Sequence, residues 1–351
     1  MAREKIPSPA ETDGGRRAIV AEAYDAKVAV VIVNYRTPRL AIECLASLLA
    51  EKGRIAKLRA IVVDGGSGDD SAAQISTAAS GSDYKDWVSV IPLTINGGFG
   101  WANNQAILRL AKEDPPPDYI HLLNPDAQVI EGATAVLVGE MLRHPECAAA
   151  GSLVLSPGGK SAASAFRFPS PGRELINAAG SEKLGRLLGI APTVVASGSS
   201  GAVDWVSGAS VMFRAEALRS SGLFDDGFFL YFEEVELMHR LTQLGWTIRH
   251  VPDSKVVHVE GASTGVGASA AILPPYWFES RQRYFGLTGG RGLLAIANIA
   301  RSVGRATRKV KGMGLARQIE PAAVKRSKRL ISSFAQWGDE PGKPPAWMAT
   351  L

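Results

Sequence analysis

VAVVIV at residues 28–33 is an unbroken apolar, β-branched run, closed by Asn34-Tyr35. A run without polar alternation predicts a strand covered on both faces, as in a parallel sheet. Thr37-Pro38 then starts a helix, with Pro at its first position. Leu40, Cys44, Leu45 and Leu48 share one face of that helix, which should reach about residue 49. The unit recurs along the chain. Strands are expected at 59–64, 88–93, 119–123 and 148–155, and helices at 70–79, 101–112 and 132–144. Five alternations with short connections predict an α/β fold, a doubly wound, mixed but mainly parallel sheet flanked by helices. Such sheets bind ligands beyond the carboxyl ends of their strands. Polar and glycine-rich residues gather at four of those ends: 34–35, 64–70, 96–100 and 124–126.

Outside this rhythm the chain divides into parts. Residues 1–26, rich in charge, Pro and Gly, read as a disordered leader without a secretory apolar core. Residues 156–201 read as an insertion over the site, partly mobile, with a short helix near 184–188. Strand-like character returns at 204–214, helices follow at 216–221 and 234–244, and short strands at 247–251 and 256–259. A main domain over 27–285 is expected, with a nucleotide-binding half at 27–155 and an acceptor and catalytic half at 203–265. A helical basic extension occupies 286–351. With 46% hydrophobic residues in 351, the chain can bury a sizeable core. Two cysteines far apart, Cys44 and Cys147, imply neither a disulfide framework nor a metal cluster. No stretch of about 18 apolar residues occurs, so a cytoplasmic location is expected.

Each strand end carries a candidate. Asn34 and Tyr35 present an amide and a ring suited to a nucleobase. In VVDGGSGDDS (62–71), Asp64 can accept from a base N–H, while the glycines allow close backbone approach. NGGFGWANNQA (96–106) leads through Gly98 and Phe99 into a helix N-terminus, a natural phosphate site, with Asn103 and Asn104 expected in its first turn. It lacks the GK[ST] of a P-loop. LLNPDA (122–127) places Asn124 and Asp126 just past a buried strand, where a carboxylate can hold Mg²⁺ or Mn²⁺. FFLYFEEVEL (228–237) delivers Glu233, Glu234 and Glu236 behind an aromatic wall. Clustered carboxylates raise one another's pKa, which suits a general base, although Glu236 and Arg240 also have the spacing of a helical ion pair. His258, in VVHVEGAST, can be a neutral ligand to the same metal.

Taken in order, VVIVNYRT, VVDGGSGDDS, NGGFGWANNQAI, LLNPDA, DWVSGASVMFRAEAL, GLFDDGFFLYFEEVEL and VVHVEGAST resemble the family 2 glycosyltransferases of GT-A fold, most of all their bacterial rhamnosyltransferase-like branch. The resemblance spans roughly residues 28–264. It implies an inverting enzyme with a nucleotide-diphosphate-sugar donor and a glycan or lipid-linked glycan acceptor, serving cell-surface polysaccharide synthesis. It implies that Asn34, Asp64 and Asn96 lie near base and ribose and that Asp126 touches the metal, with His258 as a later metal or diphosphate ligand. It puts Glu234 at the position of the catalytic base, with Glu233 and Glu236 as rivals. Gly65 stands where the family commonly has Asn, and Glu234 and Glu236 where Asp is common. Trp205, Ser207 and Gly208 form a strand edge expected beside the acceptor or the transferred sugar, and Arg281 and Arg283 are expected either to pair with the diphosphate or to form surface ion pairs.

The charge is uneven. Residues 286–330 hold eleven Lys or Arg and one acid, Glu320, a stretch of +10 in a chain of +5. With Leu293, Leu294, Ile296, Ile299 and Val303 along one face, the stretch suits peripheral docking on an anionic membrane, at the inner face of the cell membrane. It lacks the interleaved aromatics of a nucleic-acid binder, and no nucleic acid is expected. Two other functions use the same features. A sugar-phosphate nucleotidyltransferase releases pyrophosphate, and a non-catalytic sugar-nucleotide-binding scaffold shows no turnover.

Overall fold

The computed structural model describes residues 22–259 and 273–310. The first run of sequence becomes β1 (Lys27–Asn34). Its side chains alternate between two cores, Val28, Val30 and Ile32 on one face and Ala29 and Val31 on the other. That double burial is why the run shows no polar period. Helix α1 (Pro38–Ser47) covers the first face through Cys44 and Leu45. β2 (Lys57–Asp64), α2 (Ser71–Ala79), β3 (Val88–Pro92), α3 (Phe99–Leu110) and β4 (Tyr119–Leu123) continue the alternation. Then come β5 (Ala127–Val129), α4 (Ala133–Arg143) and β6 (Cys147–Leu155). In the second half, β8 (Gly201–Val203), β10 (Ser210–Arg214) and β11 (Thr247–His258) join the same sheet.

The strand order is β3-β2-β1-β4-β10-β6-β11-β5, with β8 also paired to β11. β1, β2, β3 and β4 are mutually parallel, and β6 is parallel to β11. β10 runs antiparallel between β4 and β6, and β5 and β8 run antiparallel to β11. Six of the nine strands therefore point one way. β11 is one strand with a register shift between Val251 and Lys255, where two short strands are expected from the sequence.

The segment at 156–201 is built into the fold. β7 (Ala165–Phe166) pairs with β9 (Trp205–Val206), a two-stranded sheet of its own. Helix α5 (Pro171–Ala179) starts on Ser170, whose hydroxyl accepts from the Arg173 N–H, and ends at left-handed Gly180. α6 (Glu182–Leu187) follows. After α7 (Ala215–Ser221) and α8 (Glu233–Gln243), the long α9 (Pro275–Val310), kinked at Gly289-Gly290, packs along α5. α9 runs through residue 286 and loses helical geometry three residues on, at Gly289-Gly290. Residues 22–25 form a helical turn with Ala23 buried. The rest of the leader, residues 260–265 and residues 311–351 lie outside the described residues.

Gly304 shows how close α9 lies to α5. A Cβ there would sit 2.4 Å from the Leu175 carbonyl oxygen and 2.8 Å from the Ala178 Cβ. Alanine favours helix over glycine by about 1 kcal/mol, but overpacking costs about 1–3 kcal/mol, and backbone cannot yield as a side chain does. Gly304→Ala is therefore expected to lower stability by about 1–2 kcal/mol. A urea midpoint equal to or above that of the parent chain would refute this close-contact argument.

Candidate active site

Asn34 and Asp64 end adjacent parallel strands and meet as register partners. The Asn34 amide donates to Asp64 Oδ1 at 2.8 Å and its Oδ1 accepts from Thr37. Asp64 also accepts from the Ser67 hydroxyl and N–H. Both side chains are buried. They form a latch that shapes the ledge, and the groups left on its surface are Tyr35 and Arg36. Arg36, in left-handed backbone (φ 57), donates its Nε–H to the Ser67 carbonyl and lies 5.2 Å over the Tyr35 ring. Neither Arg36 nor Ser67 is among the candidates picked from the sequence. Gly66 (φ 72) brings this ledge against the backbone of Ile95 and Asn96.

The glycine loop is seated differently from expectation. α3 begins at Phe99, two residues early, so Asn103 and Asn104 fall in its second turn. The Gly98 N–H is taken by Asn96 Oδ1 and the Phe99 N–H by the Phe229 carbonyl. A Cβ on Gly98 (φ 93) would lie 2.1 Å from that carbonyl oxygen. Two amides of the expected phosphate site are thus already engaged by the protein. Asn104 is a brace, donating to the Phe224 carbonyl and to Asp226 Oδ1 and accepting from the Phe224 N–H. Asn103 donates to the Phe99 carbonyl, and its Oδ1 is buried without a partner.

At the end of β4, three candidates converge. His258 Nε2 lies 3.0 Å from Asp126 Oδ1 and 3.3 Å from Asn124 Nδ2. β5 and β11 bring them together through the Ala127–His258 register, although they are 132 residues apart. One imidazole nitrogen cannot donate to a carboxylate and accept from an amide in the same tautomer. A cation shared by Nε2 and Oδ1 would relieve that conflict, and a 3.0 Å separation matches two adjacent ligands at about 2.1 Å from a metal. Among the described residues no group of three or more His, Cys, Asp or Glu could hold a metal. The pair fits a divalent cation only where donor oxygens or water supply the other ligands.

Glu233 and Glu234 open α8. The chain reaches them through Tyr231 and Phe232, both in left-handed backbone at φ 69. This unusual turn sends the Phe232 ring toward Trp277 and Tyr284, while Tyr231 stacks on Tyr276. Glu233 is buried, its Cβ facing the spot where a side chain at Gly100 would stand. Oε2 of each carboxylate is buried without a hydrogen-bond partner. Burial, then the neighbouring Glu234, holds Glu233 well above the ordinary carboxylate range. Burial pushes Glu234 up to about 7, against lowering by backbone N–H groups. Glu236 is committed elsewhere, held by Arg240 at 2.7 and 2.8 Å. Of the three acids, Glu234 has the open side, since Gly208 lies next to its Oε1.

The three residues 207–209 connect these groups. Gly208 borders Glu234, and the next carbonyl, of Ala209, accepts the Asn124 N–H. Ser207 turns its hydroxyl to the Ala209 N–H. Trp205 is covered by Phe166, stacked at 4.0 Å, and donates to the Arg167 carbonyl. It braces the inserted segment more than it offers a surface. Arg281 and Arg283, expected near the diphosphate, are both held by groups of the protein itself. Arg281 is buried against Glu174 and Asn298, and Arg283 forks onto Asp225. A shallow groove of about 700 Å³ lies at the opposite end of the sheet, by Lys27 and Asp118, away from these carboxylates.

The chain matches the family description "Glycosyl transferase family 2" over residues 29–186 and "Glycosyl transferase family group 2" over residues 188–326. It is 32% identical over 190 residues to the N-acetylglucosaminyl-diphospho-decaprenol L-rhamnosyltransferases of two Mycobacterium tuberculosis strains. That match covers 51% of this chain and 61% of each relative. Among solved structures it resembles the mannosyltransferase PcManGT from Pyrobaculum calidifontis in complex with GDP-Man and Mn²⁺, with a TM-score of 0.52 at 16% identity over 93% of this chain and 89% of that one. It also resembles GalNAc-T7 with UDP, GalNAc and Mn²⁺, at a TM-score of 0.50 and 12% identity over 84% and 63%. At such identities the likeness bears on fold, and it agrees with the GT-A architecture.

The raised Glu234 pKa fixes the sign of a stability effect. Above the ordinary carboxylate pKa of about 4.3 the unfolded chain has lost this proton while the folded chain keeps it. Stability should therefore fall as pH rises from there to about 7, the value to which Glu234 is pushed. At about 1.4 kcal/mol per pH unit the loss amounts to a few kcal/mol. Glu234→Gln is expected to flatten this slope. Denaturant unfolding at several pH values checks it, and an unchanged slope would contradict a raised Glu234 pKa.

Proposed function

We propose that this chain, which matches the family 2 and family group 2 glycosyl transferase descriptions over residues 29–186 and 188–326, transfers a sugar from a nucleotide-diphosphate donor to a glycan acceptor with inversion at the anomeric carbon. The observation that carries the reading is a carboxylate near neutrality, Glu234, set beside the open Gly208 and joined by 207–209 to the Asn124–Asp126–His258 group. Glu234 takes the proton from an acceptor hydroxyl. As that oxygen bonds to the anomeric carbon, the bond to the diphosphate oxygen breaks on the opposite face. Glu233, buried beside Glu234, is itself held well above the ordinary carboxylate range by burial and then by Glu234.

Asp126 and His258 would hold Mg²⁺ or Mn²⁺, with Asn124 alongside, and a bound cation neutralises the charge of the leaving diphosphate. Tyr35 and Arg36, on the ledge set by Asn34, Asp64 and Asn96, would face the nucleotide. The relatives' name makes rhamnose the sugar to test first and a diphospho-decaprenol-linked sugar the acceptor, and cell-surface polysaccharide synthesis is the process this reading proposes. A peripheral station on an anionic membrane belongs to the same reading. Among the described residues no helix is long and apolar enough to cross a membrane.

General-base help is worth about 10²–10⁴-fold, so Glu234→Gln should lose turnover by about that factor while donor affinity stays near the parent value. In the parent chain, turnover should rise with pH through about 7 as Glu234 ionises. Turnover by Glu234→Gln equal to the parent's would end the assignment. Release of pyrophosphate from a nucleoside triphosphate, instead of a nucleoside diphosphate from the sugar donor, would favour the nucleotidyltransferase reading. Asp126→Ala should abolish the Mn²⁺-dependent part of donor binding in calorimetry. Undiminished affinity there would count against the metal assignment and leave the base assignment standing.

A further inference from the structure

The second half of α9, after the Gly289-Gly290 kink, has its amphipathicity reversed. At 100° per residue, Ala295, Ile296, Ile299, Ser302, Val303 and Ala306 share the outward side, and all six are exposed. Ile296, Ile299 and Val303 show 57%, 64% and 51% of their surface to solvent. The helix turns charge inward instead. Arg301 reaches the buried Glu174 carboxylate at 3.3 Å and lies 5.1 Å over the Trp277 ring, and Arg308 lies against Gly180. Leu293 and Leu294, expected on the same face as Ile296, instead pack into the core with Ala297 and Phe285. A surface helix in water normally does the opposite, burying its aliphatic stripe and presenting charge.

We propose that this outward face is where the protein lies on an anionic lipid bilayer, with Ile296, Ile299 and Val303 entering the interface. The inference rests on the lipid-linked-acceptor reading only for its biological purpose; the docking is a property of the surface alone. Charge selects the occupant. Arg291, exposed at the start of this segment, and Lys311, Arg317, Lys325, Arg326, Lys328 and Arg329 beyond it belong to the +10 stretch. Anionic headgroups complement such a stretch, each basic residue near the surface adding about 1 kcal/mol. A second copy of the chain would instead set this basic segment against its own like charge, since a two-fold contact sets like against like. An aliphatic strip with flanking basic residues lies on a bilayer and does not span it.

Flotation of the full chain with vesicles of phosphatidylglycerol and phosphatidylcholine tests this, with no donor or acceptor present. Binding to these vesicles, absent with phosphatidylcholine alone and weakened by salt, is expected. The triple variant Ile296→Gln, Ile299→Gln, Val303→Gln should partition about 10–100-fold more weakly, with an unchanged thermal melt and unchanged turnover on a water-soluble acceptor. Val303→Gln alone should fall between it and the parent. Equal partition of parent and triple variant would overturn the proposal. So would a dimer of the parent chain in light scattering that the triple variant dissolves. Binding that obeys these expectations in a chain with no glycosyl transfer would sink the functional reading and leave the docking face intact.

Discussion

The antiparallel insertion of β10 between β4 and β6 is the pairing on which both the sheet and the site depend. β10 bonds to β4 over five register positions and to β6 over three, so its backbone polar groups are satisfied on both edges. A buried chain of hydroxyls pins its register. Ser210 meets His121 on β4 and Ser152 on β6; Ser152 meets Ser254 on β11, which donates to the Ala133 carbonyl. Burial pushes His121 down to about 3, so the ring joins this network neutral. A slip of one residue would turn Met212 and Phe213 to the wrong cores and strand the hydroxyls without partners. Because 207–209 lead directly into β10, the register that satisfies the core also sets Gly208 against Glu234 and Ala209 against Asn124.

The site spends some of the stability that this framework supplies. Buried Glu233 sits beside half-buried Glu234 with Oε2 of each buried and unpartnered, a state that raises both pKa values in place of ionising. Tyr231 and Phe232 add consecutive left-handed conformations, each costing about 1–3 kcal/mol. Surrounding structure holds them there. Arg240 ties Glu236 to the Ser221 and Leu223 carbonyls, and Asn104 ties the 224–226 loop to α3. Neither residue needs to touch a substrate to matter, since they set where α8 begins and hence where Glu234 stands.

What could be read from the sequence follows the range of the interactions. β1, β2, β4 and β6 were legible because double burial writes a near-continuous apolar run, and α1 because its Pro start and apolar stripe are local signals. β5 was not legible. Three residues carry no period, and its partner β11 is more than a hundred residues away. α5 was hidden in a Gly-, Ser- and Pro-rich run because its packing partner is α9. The same division holds at the site. Motif order picked out Asp126, His258 and Glu234, yet only the fold could show that Glu236 belongs to Arg240, that Asn34 and Asp64 bond each other, and that the Phe229 carbonyl occupies the α3 amide. Arg36 escaped notice because nothing local distinguishes it. Its place comes from Ser67, 31 residues on.

α9 shows why the sign of a hydrophobic pattern must be taken from packing. Its arginines can turn inward because α5 offers Glu174 as a shared counter-charge to Arg281 and Arg301. Burial pulls the Arg301 pKa down against the pull of Glu174. The rings of Trp277 and Phe278, 5.1 and 6.0 Å from the Arg301 guanidinium, supply further stabilisation through their π-faces. With the inward side given over to cations, the helix period leaves Ile296, Ile299 and Val303 facing out. Aliphatic side chains at those positions contribute nothing to the α5 contact. Leaving them in water has a free-energy cost that the fold does nothing to reduce, and a headgroup–acyl boundary against this face would remove it.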